Sequence, residues 1–174
     1  MDVFKAIKTR QSTRSYKITP VPEEKLKKVL EAARLAPSAH NTQDWKFIIV
    51  KDSKQREKLA EAAGKSFVAE APVIIVAVGL DPKNILSSGV PAYAVNLAIA
   101  VEHIALQAVE EGLGTCWIGA FNQEKVKKGL SIPAACKVVA LLPLGFPADK
   151  LREKVRKNLK EIVSYENFKG RPQK

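Results

Sequence analysis

The sequence has few of the residues that build metal centres, disulfides or catalytic triads. It contains two cysteines, two histidines and one methionine in 174 residues. Cys116 and Cys136 form neither a CxxC pair nor a Cys/His ligand spacing, so we expect two buried thiols and no bound metal. No nucleophile paired with a histidine base is readable. We expect His103 to be a core or interface residue, whereas His40, in a polar loop, can contact a ligand or act as an acid. An enzyme of this composition would need an organic cofactor for difficult chemistry.

Long apolar runs and targeting segments are also missing. No apolar run approaches the roughly 18 residues of a membrane span, and residues 1–5 do not resemble a secretory signal. The Gly-rich strand-to-helix turn of dinucleotide-binding folds is absent, since Gly112-Leu113-Gly114 follows a predicted helix. With so few cysteines, these absences predict a cytoplasmic protein without a membrane partner.

Acidic residues are scarce relative to basic ones. Lys and Arg number 29 and Asp and Glu 18, which gives a formal net charge of +11. Residues 1–35 and 149–174 each hold nine basic and four acidic side chains, whereas residues 66–120 hold one and five. The excess is compatible with a nucleic acid, an anionic membrane or a phosphorylated ligand, or with solvated Lys-rich helix faces. The aromatic content of 6% and the lack of zinc-finger or helix-turn-helix patterns disfavour a nucleic-acid-binding module.

What is present is the composition of one globular domain over residues 1–174, with 46% hydrophobic and 27% charged residues. Apolar periodicity predicts five helices: one capped by Asp2 and running to Lys8, one ended by Pro37, and three more at 53–64 (capped by Ser53), 91–111 and 122–130. Runs rich in β-formers predict strands at 45–50, 73–78, 115–118 and 137–144, with a late edge strand at 162–165. We therefore predict an α+β, three-layer α/β/α sandwich around a mixed sheet of about four or five strands.

Three polar segments stand out as parts of one binding site for an anion and a heterocycle. The first, residues 10–14, places two arginines around two hydroxyls, and guanidinium groups suit phosphate and planar acceptors. The second, residues 37–43, is dense in amide donors and acceptors. The third, residues 112–121, has small residues whose backbone N–H groups can approach a ligand.

Four sequence blocks, in this order, resemble motifs of the FMN-dependent nitroreductase family over about residues 3–168. Residues 10–16 (RQSTRSY) are similar to R-x-S-x-R-x-F/Y, and residues 36–45 (APSAHNTQDW) are similar to A-P-S-x-x-N-x-Q-P-W. Residues 112–119 (GLGTCWIG) are similar to G-L-G-x-x-W-I-G, and residues 142–147 (LPLGFP) are similar to L-P-x-G-Y-P.

The resemblance implies a set of FMN-binding residues. Arg10 and Ser12 would contact the phosphate and ribityl side, Arg14 would lie towards the pyrimidine edge, and the backbone of Gly119 and Ala120 would face flavin N5 and O4. The second subunit would contribute a loop containing Pro37, Ser38, Asn41 and Gln43. A looser match places Arg156 and Lys157 on the phosphate and Lys65 near flavin N1 and O2.

The resemblance also implies a domain-swapped homodimer, with the helix at 91–111 in the interface and the tail 149–174 packing on the partner. Its expected activity is oxidation of NADH or NADPH and reduction of nitroaromatics, quinones or similar acceptors, by ping-pong hydride transfer through flavin N5. Flavin destruction or reductive dehalogenation on the same fold is the alternative.

Two residues depart from the family pattern: Asp44 stands where the family usually has Pro, and Asn96 where many members have Asp. We therefore expect a different loop backbone, and we expect a more open pocket because the 81–89 connection is short.

Overall fold

The computed structural model describes residues 2–168 and 170, which contain four strands and seven α-helices. The strands are β1 (Trp45–Val50), β2 (Val73–Gly79), β3 (Gly114–Thr115) and β4 (Lys137–Gly145). The helices are α1 (Val3–Thr9), α2 (Glu23–Arg34), α3 (Ser53–Ala63), α4 (Phe67–Glu70), α5 (Ala92–Glu110), α6 (Gln123–Gly129) and α7 (Leu159–Ile162).

The four strands form one sheet in the order β1-β2-β4-β3, and all three neighbouring pairs are antiparallel. Within the described residues, parallel pairing is limited to a single bridge between Ser12 and Thr115. All seven residues of β2 are buried, which is typical of a central strand covered on both faces.

Two apolar cores lie on opposite faces of this sheet. Alternate residues of β2 point to opposite sides, so Ile75 and Ala77 belong to one core and Ile74 and Val76 to the other. Helices α2 and α5 cover the first core, and α3, α4 and α6 cover the second. The predicted three-layer sandwich is confirmed, but its four strands pair antiparallel and do not form the predicted mixed sheet.

Helix α5 is the longest element and was predicted within one residue at each end. By length and composition it could cross a membrane, contrary to the sequence-based expectation that no segment qualifies. It packs in the first core, however, where Leu97, Val101 and Ile104 are at most 1% exposed. This burial accounts for one face of the helix, whereas Val95 on the same helix is 37% exposed.

Three local predictions were wrong. The N-cap of α3 is Asp52, whose carboxylate accepts the N–H of Gln55 at 2.9 Å, and Ser53 is the first helical residue. The predicted strand at 115–118 is only two residues long, at 114–115, and Ile118 makes an isolated bridge to Leu141. Residues 162–165 form no strand, because a capping box at Asn158 starts the helical turn α7 that ends at 162.

Candidate cofactor site

The Arg-rich segment 10–14 is fixed to the edge of the sheet through Thr13. Thr13 is 1% exposed, and its N–H donates to the carbonyl of Thr115 at 2.9 Å. The buried Tyr16 hydroxyl donates to one of two carbonyl oxygens, that of Thr13 at 2.9 Å or that of Pro143 at 3.3 Å. Burial raises the pKa of Tyr16 far above its usual value, so it remains a neutral donor. The backbone that carries Arg10, Ser12 and Arg14 is therefore held rigidly.

A cleft of about 500 Å³ opens beside this segment. Three predicted site residues, Arg14, Gly119 and Ala120, line it together with Lys65. The backbone N–H groups of Gly119 and Ala120 have no acceptor among the described residues. The cleft therefore combines two cations with unpaired backbone donors, an arrangement that suits a ligand with negative charge and carbonyl or ring-nitrogen acceptors.

The cleft also contains the Cys116 thiol, whose pKa depends on the charges around it. Burial raises the pKa of the Cys116 thiol. The pKa is lowered by the charge of Arg14, by a hydrogen bond with Ser12 and by the charges of Arg10 and Lys65. Arg10 and Ser12 thus influence the pKa of a thiol in the cleft, although neither of them lines the cleft. The prediction of two buried thiols holds for Cys116, whereas Cys136 is only half-buried.

The basic tail returns to the Arg-rich segment. The Gln11 side chain donates to the carbonyl of Lys150 at 3.2 Å and accepts the N–H of Arg152 at 3.0 Å. The N–H of Arg14 donates to Asp149 at 3.2 Å. Residues about 140 positions apart in sequence are thereby joined at one end of the cleft.

Further along the tail, the Lys154 ammonium donates to the carbonyl of Ile7 at 2.8 Å. Burial lowers the pKa of Lys154, and the neighbouring charges of Arg10 and Arg156 lower it further. Arg156 therefore lies within electrostatic range of the Arg-rich segment. Lys157 is exposed, and it has no ion pair or side-chain hydrogen bond with the part of the chain that the structure describes. Neither Arg156 nor Lys157 lines the cleft.

The predicted loop residues Pro37, Ser38, Asn41 and Gln43 do not line the cleft of their own chain. Pro37, Asn41 and Gln43 are exposed, and the Gln43 amide donates to the Asn41 side-chain oxygen at 3.1 Å. The Ser38 hydroxyl accepts the N–H of Gln43 at 3.0 Å. The loop forms an exposed surface separate from the cleft, as expected if it contacts another subunit.

Two cleft residues, Ser66 and Phe67, were missed by sequence reasoning, and they line the cleft beside Lys65. Cys116 and Trp117 also line the cleft, and both lie within the predicted segment 112–121. Trp117 is 42% exposed, although an aromatic side chain next to a strand predicts burial. The sequence indicates Ser66 and Phe67 only by their position, because they directly follow Lys65, which was already assigned to the site.

Comparison with known proteins identifies the family of this chain. The model of the nitroreductase family matches residues 7–71 and 63–146. The chain belongs to the nitroreductase family. A Methanothermobacter thermautotrophicus protein, named for NADH dehydrogenase/NAD(P)H nitroreductase, is 37% identical over 155 residues, covering 86% of this chain and 79% of the relative.

Two further similarities extend over most of the molecule. An FMN reductase (NAD(P)H) of Bacillus subtilis is 31% identical over 173 residues, covering 89% of this chain and 70% of the relative. The crystal structure of a nitroreductase family protein from Clostridium novyi superimposes with a TM-score of 0.81 at 36% identity, covering 98% of this chain and 97% of that structure. This nitroreductase-family fold leaves the nucleic-acid-binding alternative with net charge as its only support.

Proposed function

We propose that this protein is an FMN-dependent oxidoreductase that oxidises NADH or NADPH and reduces electron-poor acceptors such as nitroaromatics and quinones. Family membership and the relatives' names support the oxidoreductase class and both cofactors. The observation that carries the proposal is the cleft in which Arg14, Lys65 and the unpaired N–H groups of Gly119 and Ala120 converge.

The cleft fits FMN in size and in chemistry. Its volume of about 500 Å³ lies within the roughly 300–1,000 Å³ of small-molecule sites. Arg10 and Ser12 would hold the phosphate and ribityl side, with Arg156 and Lys157 adding positive charge from the tail. Arg14 and Lys65 would face the pyrimidine side of the ring, and the donors of Gly119 and Ala120 its N5 edge. The loop 37–43 of a second copy would complete the site.

Bound FMN would supply the redox chemistry between NADH or NADPH and the electron acceptor, in ping-pong order. The chain's residues orient the ring and set its charge. Cations held beside a developing negative charge stabilise it without reorganisation, so Arg14 and Lys65 favour the reduced ring. The Gly119 and Ala120 amides offer donors fixed by the backbone.

A homodimer of single-domain subunits is part of the same proposal. Large apolar side chains are exposed on α1 and α5, with Phe4 at 64% and Val95 at 37%. In the tail, Leu151 and Val155 are 69% and 88% exposed, a pattern that favours packing of residues 149–174 on a partner. The two free thiols suit a reducing cytoplasm, where we place the protein.

Steady-state turnover tests the proposed reaction. The purified protein loaded with FMN is assayed with NADH and NADPH against a nitroaromatic, a quinone, free flavin and a halogenated aromatic. We expect parallel lines in double-reciprocal plots with a nitroaromatic or quinone, the signature of ping-pong kinetics. Consumption of the flavin itself, or halide release as the only turnover, would replace the proposed reaction with one of the two alternatives.

A further inference from the structure

The loop 37–43 is tied to helix α5 by one buried amide. Asn96 is 1% exposed, and its side-chain oxygen accepts the N–H of Ala39 at 2.9 Å. Its side-chain nitrogen donates to the Asp44 carboxylate at 2.9 Å. A single side chain on the rigid core helix therefore holds both the start and the end of the loop.

Asp44 forms the other half of this connection. The Oδ1 atom that accepts from Asn96 also accepts the Thr42 hydroxyl at 3.1 Å, and the Asp44 carbonyl accepts the N–H of Leu80 at 2.9 Å. The second carboxylate oxygen, Oδ2, is buried without a hydrogen-bond partner among the described residues. Asp44 is half-buried, and leaving its Oδ2 atom buried and unpaired is costly, so the Asn96 donor to Oδ1 helps to keep the carboxylate in place.

The loop itself needs such support because its backbone is strained. Three non-glycine residues have positive φ angles: His40 at 51°, Asn41 at 55° and Gln43 at 49°. Residues in this region persist where the surrounding structure holds them, and they concentrate at binding sites. The strained residues lie between Ala39 and Asp44, the two points held by Asn96.

We propose that Asp44 and Asn96 are a matched pair of positioning residues that hold the loop in the conformation that binds FMN. This inference rests on the proposed function, because the loop has no other assigned ligand. The pairing explains both departures from the family pattern together. With a carboxylate at position 44, the side chain at position 96 needs a hydrogen-bond donor. An aspartate at position 96 would instead place two carboxylates in contact.

A swap of the two residues tests the pair. Three variants, Asn96→Asp, Asp44→Asn and the double variant, are compared with the charge-matched control Asn122→Asp, an exposed helix cap that aspartate serves equally well. FMN affinity is measured by fluorescence quenching. Exchange protection of the Ala39 amide is measured by NMR on the FMN-free protein. Thermal unfolding and circular dichroism monitor the fold.

We expect Asn96→Asp to weaken FMN binding by about tenfold or more, as for loss of a charged hydrogen bond. Asp44→Asn keeps an acceptor for the Asn96 side chain, so this variant should lose less FMN affinity than Asn96→Asp. In the double variant, the amide now at position 44 can donate to the carboxylate now at position 96, so FMN affinity and Ala39 protection should return to within about threefold of the parent values. Recovery shows that the two residues act as a pair, because residues in contact couple. A loss of FMN affinity and of Ala39 protection with an unchanged midpoint of thermal unfolding distinguishes positioning from a merely structural role.

Three other outcomes overturn the inference. If the parent binds FMN and all three variants bind it equally well, the pair does not position the loop, and the proposed function stands. If Asn96→Asp weakens FMN binding and the double variant recovers nothing, the residues act separately. A parent that binds no FMN would refute the proposed function, and the positioning role with it.

Discussion

At the residue scale, the two arginines of segment 10–14 differ in their surroundings. Arg14 lines the cleft, whereas Arg10 does not line it and approaches Glu102 at 3.9 Å. The Glu102 contact is long and partly exposed, so it contributes little and leaves the Arg10 guanidinium available for a phosphate.

Arg10→Ala should therefore weaken FMN binding by about tenfold to a hundredfold, the range expected for a lost charge-assisted hydrogen bond of about 1.5–3 kcal/mol. Fluorescence titration of FMN measures the affinity. Arg34→Ala is the control, because Arg34 is exposed and pairs with Glu31 on the same helix. Equal affinity for the Arg10 variant and the parent would contradict the phosphate assignment.

Glu111 is a second informative residue, at the end of α5 and away from the cleft. Its side chain is 8% exposed and contacts the ammonium groups of Lys25 and Lys28 on α2 at 3.3 and 3.1 Å. The hydrogen bond from Lys28 lowers the pKa of Glu111, burial opposes this effect, and Lys25 lowers the pKa further. The carboxylate thus joins α2 to α5 in its ionised form.

Because folding lowers the pKa of Glu111, its contribution to stability is present above the unfolded value near 4.5 and disappears as pH falls below it. Glu111→Gln should therefore lower the free energy of unfolding at pH 7 and have a progressively smaller effect from about pH 4.5 downwards. Urea denaturation at pH 7, 5 and 3.5 tests this expectation. A difference between parent and variant that does not change with pH would contradict it.

At the element scale, the contact between segment 10–14 and β3 depends on a missing side chain. A Cβ atom at Gly114 would overlap the Thr13 Oγ1 atom and lie 2.9 Å from the Thr13 Cβ. Thr13 cannot move away easily, because it is buried and its N–H is bonded to Thr115. Gly114 therefore allows the Arg-rich segment to pack directly on the sheet edge.

Gly114→Ala should destabilise the fold by about 1–3 kcal/mol through overpacking, and it should weaken FMN binding because Arg10, Ser12 and Arg14 shift with Thr13. The matched control is Gly129→Ala at the end of α6, where a Cβ meets nothing within 4 Å. We expect that variant to be neutral or slightly more stable. Chemical denaturation and FMN titration measure the two effects. A Gly114 variant as stable as the control would show that the edge tolerates the side chain.

Sequence patterns predicted the elements whose burial determines their structure. The all-apolar run of β2 and the long helix α5 fall where expected, because continuous burial leaves a strong pattern. The cap of α3 was misassigned because Asp52 and Ser53 are both good N-cap residues, and local sequence does not separate them. The predicted edge strand at 162–165 was wrong because Ile162 is exposed and ends a helical turn that begins with a capping box. The β propensity of residues 162–165 does not take that capping box into account.

The candidate site was only partly predictable. Motifs led to Arg14, Gly119 and Ala120, which the fold places around one cleft. Contacts between Gln11 and the tail join positions 139 and 141 residues apart, which no local pattern in one sequence can show. The bond between Asn96 and Asp44 is also long-range. Both residues were visible as departures from the family motif, but their pairing requires the fold.

At the scale of the whole molecule, the two basic ends of the chain meet. Residues 1–35 and 149–174 carry the basic excess, and the bonds from Gln11 and Arg14 place the start of the tail, at Asp149 and Lys150, beside the segment 10–14. Only a few of the cations behind the net charge of +11 have a proposed ligand. The field of this surface would attract anionic NADH or NADPH.

The exposed apolar residues predict a dimer. Val95→Glu on α5 should shift the protein towards monomer and reduce FMN content, because a charge in an interface is desolvated without a partner. Light scattering after gel filtration measures the mass, and the exposed Lys58→Glu on α3 is the control. A parent that elutes as a monomer with bound FMN would contradict the shared site.

The visible absorption spectrum of the purified protein tests the central proposal most directly. We predict a yellow protein with oxidised-flavin bands, about one FMN per chain after release by heat, and bleaching by NADH or NADPH under anaerobic conditions. A colourless protein that takes up no added FMN would contradict the assignment of the cleft as a flavin site.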